Sequence, residues 1–294
     1  MEEYNRRQII KFLGLGGASL WLNGDAANAT SKEMVRATLK GNIHHSVCRW
    51  TFSELALADL CRLVKQIGFS AIDLVEPKDW PILKAAGIDS SMCCGAEIDL
   101  DKGWNDRTYH PTLIKNYLEH IELVAKAGYK NLICFTGNRG NIDDETGMKN
   151  CITGLKQILA HAEKHKVVLH MEILNSRIDH LDYMGDKSDW VLELCKKIDS
   201  PNMKMLFDIY HVQINEGDII RRLKKCAPYI GHYHTGGVPG RGETGENQEL
   251  NYRAIMKAIL ATGYRGYVAQ EFLIKGTPVE KAAALKRAVL LCDV

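Results

Sequence analysis

The 294-residue chain reads as an α/β protein, a single (β/α)8 TIM barrel. Three observations point there. Short apolar runs alternate with longer stretches of helical periodicity, the order that calls for a parallel sheet. Eight such runs occur, enough strands for the sheet to close on itself. Four of them, in VVLHMEILN, MKMLFDIYH, IGHYHTGG and GYVAQEF, end on a residue that binds divalent metals: Glu172, Asp208, His234 and Glu271. These stand about one strand-plus-helix unit apart, so successive strands could deliver them to one point on the face where such barrels carry their chemistry.

Taken in order, the runs at 45–50, 71–76 and 91–96 predict three strands, separated by helical patterns at 54–67 and 80–86. Gly68 and Gly87 follow those helices, where a residue with positive φ is expected. A long helix at 111–127, closed by Gly128, leads to a strand at 131–136, and a longer one at 144–165 leads to 167–174. The second half repeats the unit: helix 188–197, strand 203–210, helix 218–226, strand 230–235, helix 252–261 before Gly263, strand 266–272 and helix 278–292. AGYKNLICF and TGYRGYVAQEF share one grammar of helix end, Gly-aromatic, basic residue and strand, as repeated αβ turns should.

Composition is compatible with one large core, at 46% hydrophobic residues. No Pro/Ser/Gly-rich linker divides the chain. Lys plus Arg number 38 against 36 Asp plus Glu, with no basic run interleaved with aromatics, so a nucleic-acid surface is not expected. A small soluble substrate is the better partner, and a homo-oligomer is compatible with the fold class. Beyond the first 25 residues no run is long and apolar enough for a membrane span.

The N-terminus reads as an export signal. Asn5-Arg6-Arg7-Gln8-Ile9-Ile10-Lys11 resembles the twin-arginine consensus, an apolar stretch at 12–22 follows, and Ala27-Asn28-Ala29 supplies a cleavage site. The expected organisation is a signal peptide at 1–29, a linker at 30–43 and a catalytic barrel at 44–294, with a periplasmic location, or a cytoplasmic one if the signal is not used. The nine cysteines are odd in number, without CxxC, and are expected to be mostly buried thiols.

Three carboxylates and one imidazole form a hard, mostly oxygen donor set. It suits one divalent ion, Mn²⁺ or Mg²⁺, with Co²⁺ or Zn²⁺ as alternatives. Around it, Arg241 is placed to balance charge or meet substrate, and His211 either to bind a substrate oxygen or to pack as a core histidine. His232 is expected to face away from His234 and pack outward, and His170 to lie one layer below Glu172. Trp50 and Trp104 are candidates to wall a bound substrate, whereas Trp80 reads as a packed helix residue. Asn138 and Arg139 follow the fourth strand on the same face as the candidate ligands. Asn175 and Ser176 are loop caps or substrate contacts.

The segments HMEILN, FDIYH, HYHTGGVPGRGETGE and AQEF resemble the sugar isomerase and epimerase superfamily with the xylose isomerase-like barrel, and most closely its hydroxypyruvate isomerase family. The resemblance covers roughly 44–275 and is most specific at 208–211 and 239–246. It implies that Glu172, Asp208, His234 and Glu271 are metal ligands and that Glu172 and Glu271 are the acid/base pair. It also implies that His211 and Arg241 contact substrate oxygens. Hydroxypyruvate isomerases tend to carry Gln where this chain has His234, while ketose epimerases carry His, which argues against a three-carbon substrate. The expected reaction is proton transfer between the two glutamates through a metal-bound enediolate, giving isomerisation or epimerisation of a small sugar, keto-sugar or hydroxy-keto acid. The rival readings are a metal-dependent lyase acting on 3-keto-glycosides, a metal-dependent hydrolase or endonuclease-like barrel, and a sugar-binding barrel that has lost catalysis, which would be expected to lack one of the two glutamates.

Overall fold

The structure is a computed structural model that describes residues 38–294. The expected export signal lies outside the described residues. Eight parallel strands form one sheet in the order β1-β8-β7-β6-β5-β4-β3-β2. They are β1 His44–Val47, β2 Ala71–Val75, β3 Asp89–Cys93, β4 Asn131–Cys134, β5 Val168–Glu172, β6 Met203–Asp208, β7 Ile230–Thr235 and β8 Tyr267–Gln270. A parallel bridge from Cys48 to Asp73 joins the two ends of that order, so the expected barrel is what forms.

The helices described are α1 Leu57–Ile67, α2 Trp80–Ala86, α3 His110–Ala127, α4 Asp144–His165, α5 Ser188–Ile198, α6 Ile209–Asn215, α7 Ile219–Cys226, α8 Tyr252–Ala261 and α9 Pro278–Cys292. Gly68, Gly87 and Gly128 close α1, α2 and α3 in the left-handed conformation that a side chain with Cβ disfavours. Asp143 and Thr277 cap α4 and α9, the latter in a reciprocal capping box with Glu280.

Alternation along each strand divides the core in two. Outward residues such as Leu132, Cys134, Met205, Phe207 and Tyr233 pack against the helices in the larger cluster. Those of the other parity, among them Ile133, Phe135, Leu206 and Ala269, form a smaller cluster inside the barrel. No helix of the described residues is long and apolar enough to cross a membrane. All nine cysteines are free, and all but Cys94 are buried.

Two expectations are corrected by local geometry. The run at 203–210 does not stay a strand: Asp208 takes extended backbone, and its side chain accepts the His211 N–H at 3.0 Å, starting α6 at once. The segment 45–50 likewise turns into a short 3-10 helix at Arg49–Phe52, which lifts Trp50 off the sheet.

Candidate metal and active site

Glu172 ends β5, Asp208 ends β6, His234 is the penultimate residue of β7 and Glu271 follows β8. All four are fully buried. One ligand atom from each lies within 4.8 Å of the others. The imidazole organises the group: His234 Nδ1 is 2.9 Å from Glu172 Oε1, 2.7 Å from Glu271 Oε2 and 3.9 Å from Asp208 Oδ2.

The other side of that ring decides its protonation. His234 Nε2 lies 3.0 Å from Asp73 Oδ1, and a carboxylate can only accept, so Nε2 carries the proton. In neutral imidazole Nδ1 then offers a lone pair toward three carboxylates, an arrangement that requires a cation between them. A proton on Nδ1 is one such cation. Burial opposes imidazolium, but Glu271, Cys48 and Asp73 outweigh it and hold the His234 pKa well above the usual value. A divalent ion fits the same place, since the donor set is oxygen-rich and closes within one coordination sphere. Three carboxylates less one guanidinium leave a formal charge that a divalent ion cancels.

That guanidinium belongs to Arg241. Its terminal nitrogen lies 2.6 Å from Glu271 Oε2 and 3.5 Å from Asp208 Oδ2, and its Nε donates to the Glu271 carbonyl at 3.1 Å. It sits 5.3 Å from the Trp50 ring and 5.1 Å from the Tyr210 ring. The loop that delivers it needs glycine at Gly237, where a Cβ would meet the Glu243 carbonyl oxygen at 2.6 Å. Burial raises the Asp208 carboxyl to a pKa of about 7; Arg241 opposes the shift, and Glu271 adds to it.

His211 lies beneath this group. The Asn175 backbone N–H donates to its Nδ1 at 3.0 Å, so the ring proton is on Nε2, the atom 3.7 Å from Asp208 Oδ2. Asn175 also caps its own loop, accepting from the Ile178 and Asp179 N–H groups. Ser176 Oγ donates to Asp186. Trp50 Nε1 donates to Glu271 Oε1 at 2.6 Å, which places its ring edge at the candidate site.

Two side chains, Trp104 and His232, lie elsewhere than expected, and Arg139 after β4 is taken up by protein partners. Trp104 is fully buried in the outer core, its ring 5.2 Å from Tyr117 and 5.7 Å from His110 on α3, and does not wall the site. The loop after β3 folds back under α3 and α4, and a Cβ on Gly154 of α4 would meet the indole at 2.7 Å. Arg139 is consumed by Asp144, Asp186 and the carbonyls of Tyr183 and Met184, and ties two loops together. His232 does not pack outward: residues two apart on a strand share a face, and its Nε2 lies 2.9 Å from Asp73 Oδ2.

Asp73 is thus the central member of a polar layer that local sequence does not single out. It receives His234, His232 and, at 2.6 Å, the hydroxyl of Ser91. Burial opposes its charge, but the two histidines overcome that and keep its carboxyl below the ordinary range. The available signal is one acid inside a strand, AIDLV, that is buried at every position. His170 lies beside His232, ring centroids 6.2 Å apart, with Nε2 3.0 Å from Asn131 Oδ1.

The family model for the xylose isomerase-like TIM barrel matches residues 61–289. The chain belongs to that family. Among xylose isomerase-like relatives, the hydroxypyruvate isomerase of Escherichia coli K12 is 29% identical over 156 residues, 52% of this chain and 58% of its own. A Mus musculus protein provisionally given the same name is 28% identical over 257 residues, 81% of this chain and 91% of its own. The solved structure of D-psicose 3-epimerase with D-tagatose from Clostridium cellulolyticum H10 superposes with a TM-score of 0.72 at 17% identity, over 86% of this chain and 100% of that one. At that identity the likeness concerns the fold.

Proposed function

We propose that the protein is a divalent-metal-dependent isomerase or epimerase of a small sugar, keto-sugar or hydroxy-keto acid, in which Glu172 and Glu271 exchange a proton with a substrate carbon. The reading rests on one observation above others: two buried carboxylates from different strands converge on a single imidazole nitrogen, at 2.9 and 2.7 Å. Removing a proton beside a carbonyl needs a base within hydrogen-bond reach, and returning it needs an acid. Two carboxylates supply both. Return to the same carbon epimerises, and return to its neighbour exchanges aldose and ketose.

Glu172, Asp208, His234 and Glu271 would hold the ion, with Mn²⁺ or Mg²⁺ favoured by the oxygen-rich set. When bound, it supplies charge stabilisation to oxygens that become anionic as the proton leaves, worth several kcal/mol. Arg241 holds a fixed positive charge against Glu271 and Asp208, and His211 presents its Nε2–H on the side of Asp208. The name of the bacterial hydroxypyruvate isomerase supports this reaction class. By the same reading residues 1–29 form a twin-arginine signal and 44–294 the catalytic barrel, which cell fractionation with Arg6→Lys and Arg7→Lys tests.

The deciding experiment incubates metal-loaded protein in D₂O with free ketoses, hydroxypyruvate and 3-keto-glycosides. Solvent deuterium should enter the carbon beside the carbonyl. Glu172→Gln and Glu271→Gln should each reduce turnover by about 10²–10⁴-fold. Full turnover in Glu271→Gln would sink the two-glutamate reading, and product without deuterium would mean a hydride shift. An unsaturated product would identify elimination instead.

A further inference from the structure

We propose a second divalent-metal site on the outer helical layer, formed by His161 and His165 of α4 and Glu122 of α3, and selective for borderline-soft ions such as Zn²⁺. It goes beyond the proposed reaction and does not depend on it. One ligand atom from each of the three side chains lies within 4.8 Å of the others. His161 and His165 are one helical turn apart, so their rings share a face, with centroids 4.5 Å apart. Glu122 reaches across from the neighbouring helix, its Oε1 3.3 Å from His161 Nε2.

Two features favour an ion over a simple ion pair. His161 Nε2 is buried and makes no hydrogen bond despite its closeness to Glu122. A buried nitrogen without a hydrogen bond is costly, and a metal bond removes the cost. The second feature is the shape of the set. Two imidazoles and one carboxylate are the ligands of an open tetrahedral zinc site, with water in the fourth position. Ligand atoms around such an ion lie about 3.3–3.6 Å apart, given zinc–ligand bonds of about 2.0–2.2 Å. Glu122 is 63% exposed and His161 23%, so side-chain rotation alone can close the remaining gap.

The donor chemistry separates this site from the barrel. The barrel set carries three carboxylates to one imidazole, whereas here imidazole predominates. Zn²⁺, Cu²⁺, Ni²⁺ and Co²⁺ should therefore occupy the surface site, and Mg²⁺ and Mn²⁺ should leave it free. An ion here would clamp α3 to α4 and stabilise the fold by mass action.

Equilibrium dialysis of the full chain against Zn²⁺ near neutral pH tests the proposal. Wild-type protein should bind Zn²⁺ in two classes. His165→Ala and Glu122→Gln should weaken one class by roughly tenfold or more, since even an outer-shell partner is worth that much, and leave the other intact. Glu172→Gln should show the converse. Equal unfolding temperatures of wild type and His165→Ala in chelator would show that the fold is kept. Wild-type binding curves in both surface variants would overturn the surface site. If the barrel reading alone is wrong, wild type should show a single class that His165→Ala weakens.

Discussion

Asp73 on β2 and His234 on β7 meet inside the barrel through a 3.0 Å hydrogen bond, Nε2–H to Oδ1. The bond fixes which nitrogen of His234 faces Glu172, Asp208 and Glu271. His232 Nε2 stands 2.9 Å from the second oxygen, Oδ2, so an amide in place of the carboxylate would alter the charge that faces both rings. Asp73→Asn should therefore lower affinity for Mn²⁺ about 10–100-fold with the fold retained. Titration of the metal-free protein with Mn²⁺, with circular dichroism alongside, checks this. Unchanged affinity would make Asp73 a packing residue.

Arg241 is positioned by contacts on several sides. It pairs with Glu271, approaches Asp208, packs between Trp50 and Tyr210, and takes a φ of 54° that the Gly-rich loop supports. Lysine would keep the charge but not the planar group or the bond from Nε to the Glu271 carbonyl. Both Arg241→Ala and Arg241→Lys should lower kcat/KM by about 10–100-fold, the value of one lost charged hydrogen bond. Steady-state kinetics on the substrate found in D₂O decides it, and full rescue by lysine would show that only charge matters.

Two tryptophans make a contrasting pair. Trp50 donates to Glu271 and should matter to turnover, whereas Trp104 packs on Tyr117 and His110 away from the candidate site. Trp50→Phe should reduce kcat while changing stability little. Trp104→Ala should cost about 3–5 kcal/mol, as large aromatic truncations in a packed core do, with kinetics of the folded fraction unchanged. Urea unfolding and active-site-normalised kinetics on both variants give the comparison.

These cases show what the sequence encodes locally. Parallel strands covered on both faces must be apolar runs, so β4 to β8 and their helices announce themselves. The four candidate ligands are visible because each interrupts an apolar run at its end. Asp73 is one acid within AIDLV, and its partners come from β3 and β7, far away in sequence. Trp104 is placed by a loop that folds under two helices, a contact no local period records. The α6 helix is hidden because its apolar residues continue those of β6 without a break. Only the Asp208 cap marks the change.

The last prediction concerns acid stability away from the candidate site. His45 on β1 is 2% exposed, and burial lowers its pKa to about 4 from 6.5, although Asp293, 3.7 Å away, works in the other direction. Well above pH 6.5 the residue is neutral in both folded and unfolded chains and contributes no pH dependence. As pH falls from 6.5 toward 4 the unfolded chain takes up the proton first, so stability declines. The loss approaches about 3 kcal/mol once the folded form also protonates. His170, whose pKa burial and then His232 hold well below the usual value, adds a decline of the same sign. His45→Gln should therefore flatten, without abolishing, the fall in urea-unfolding free energy between pH 6.5 and 4, and run parallel to wild type above pH 7. Identical slopes in the acid range would mean that Asp293 fully compensates the burial of His45.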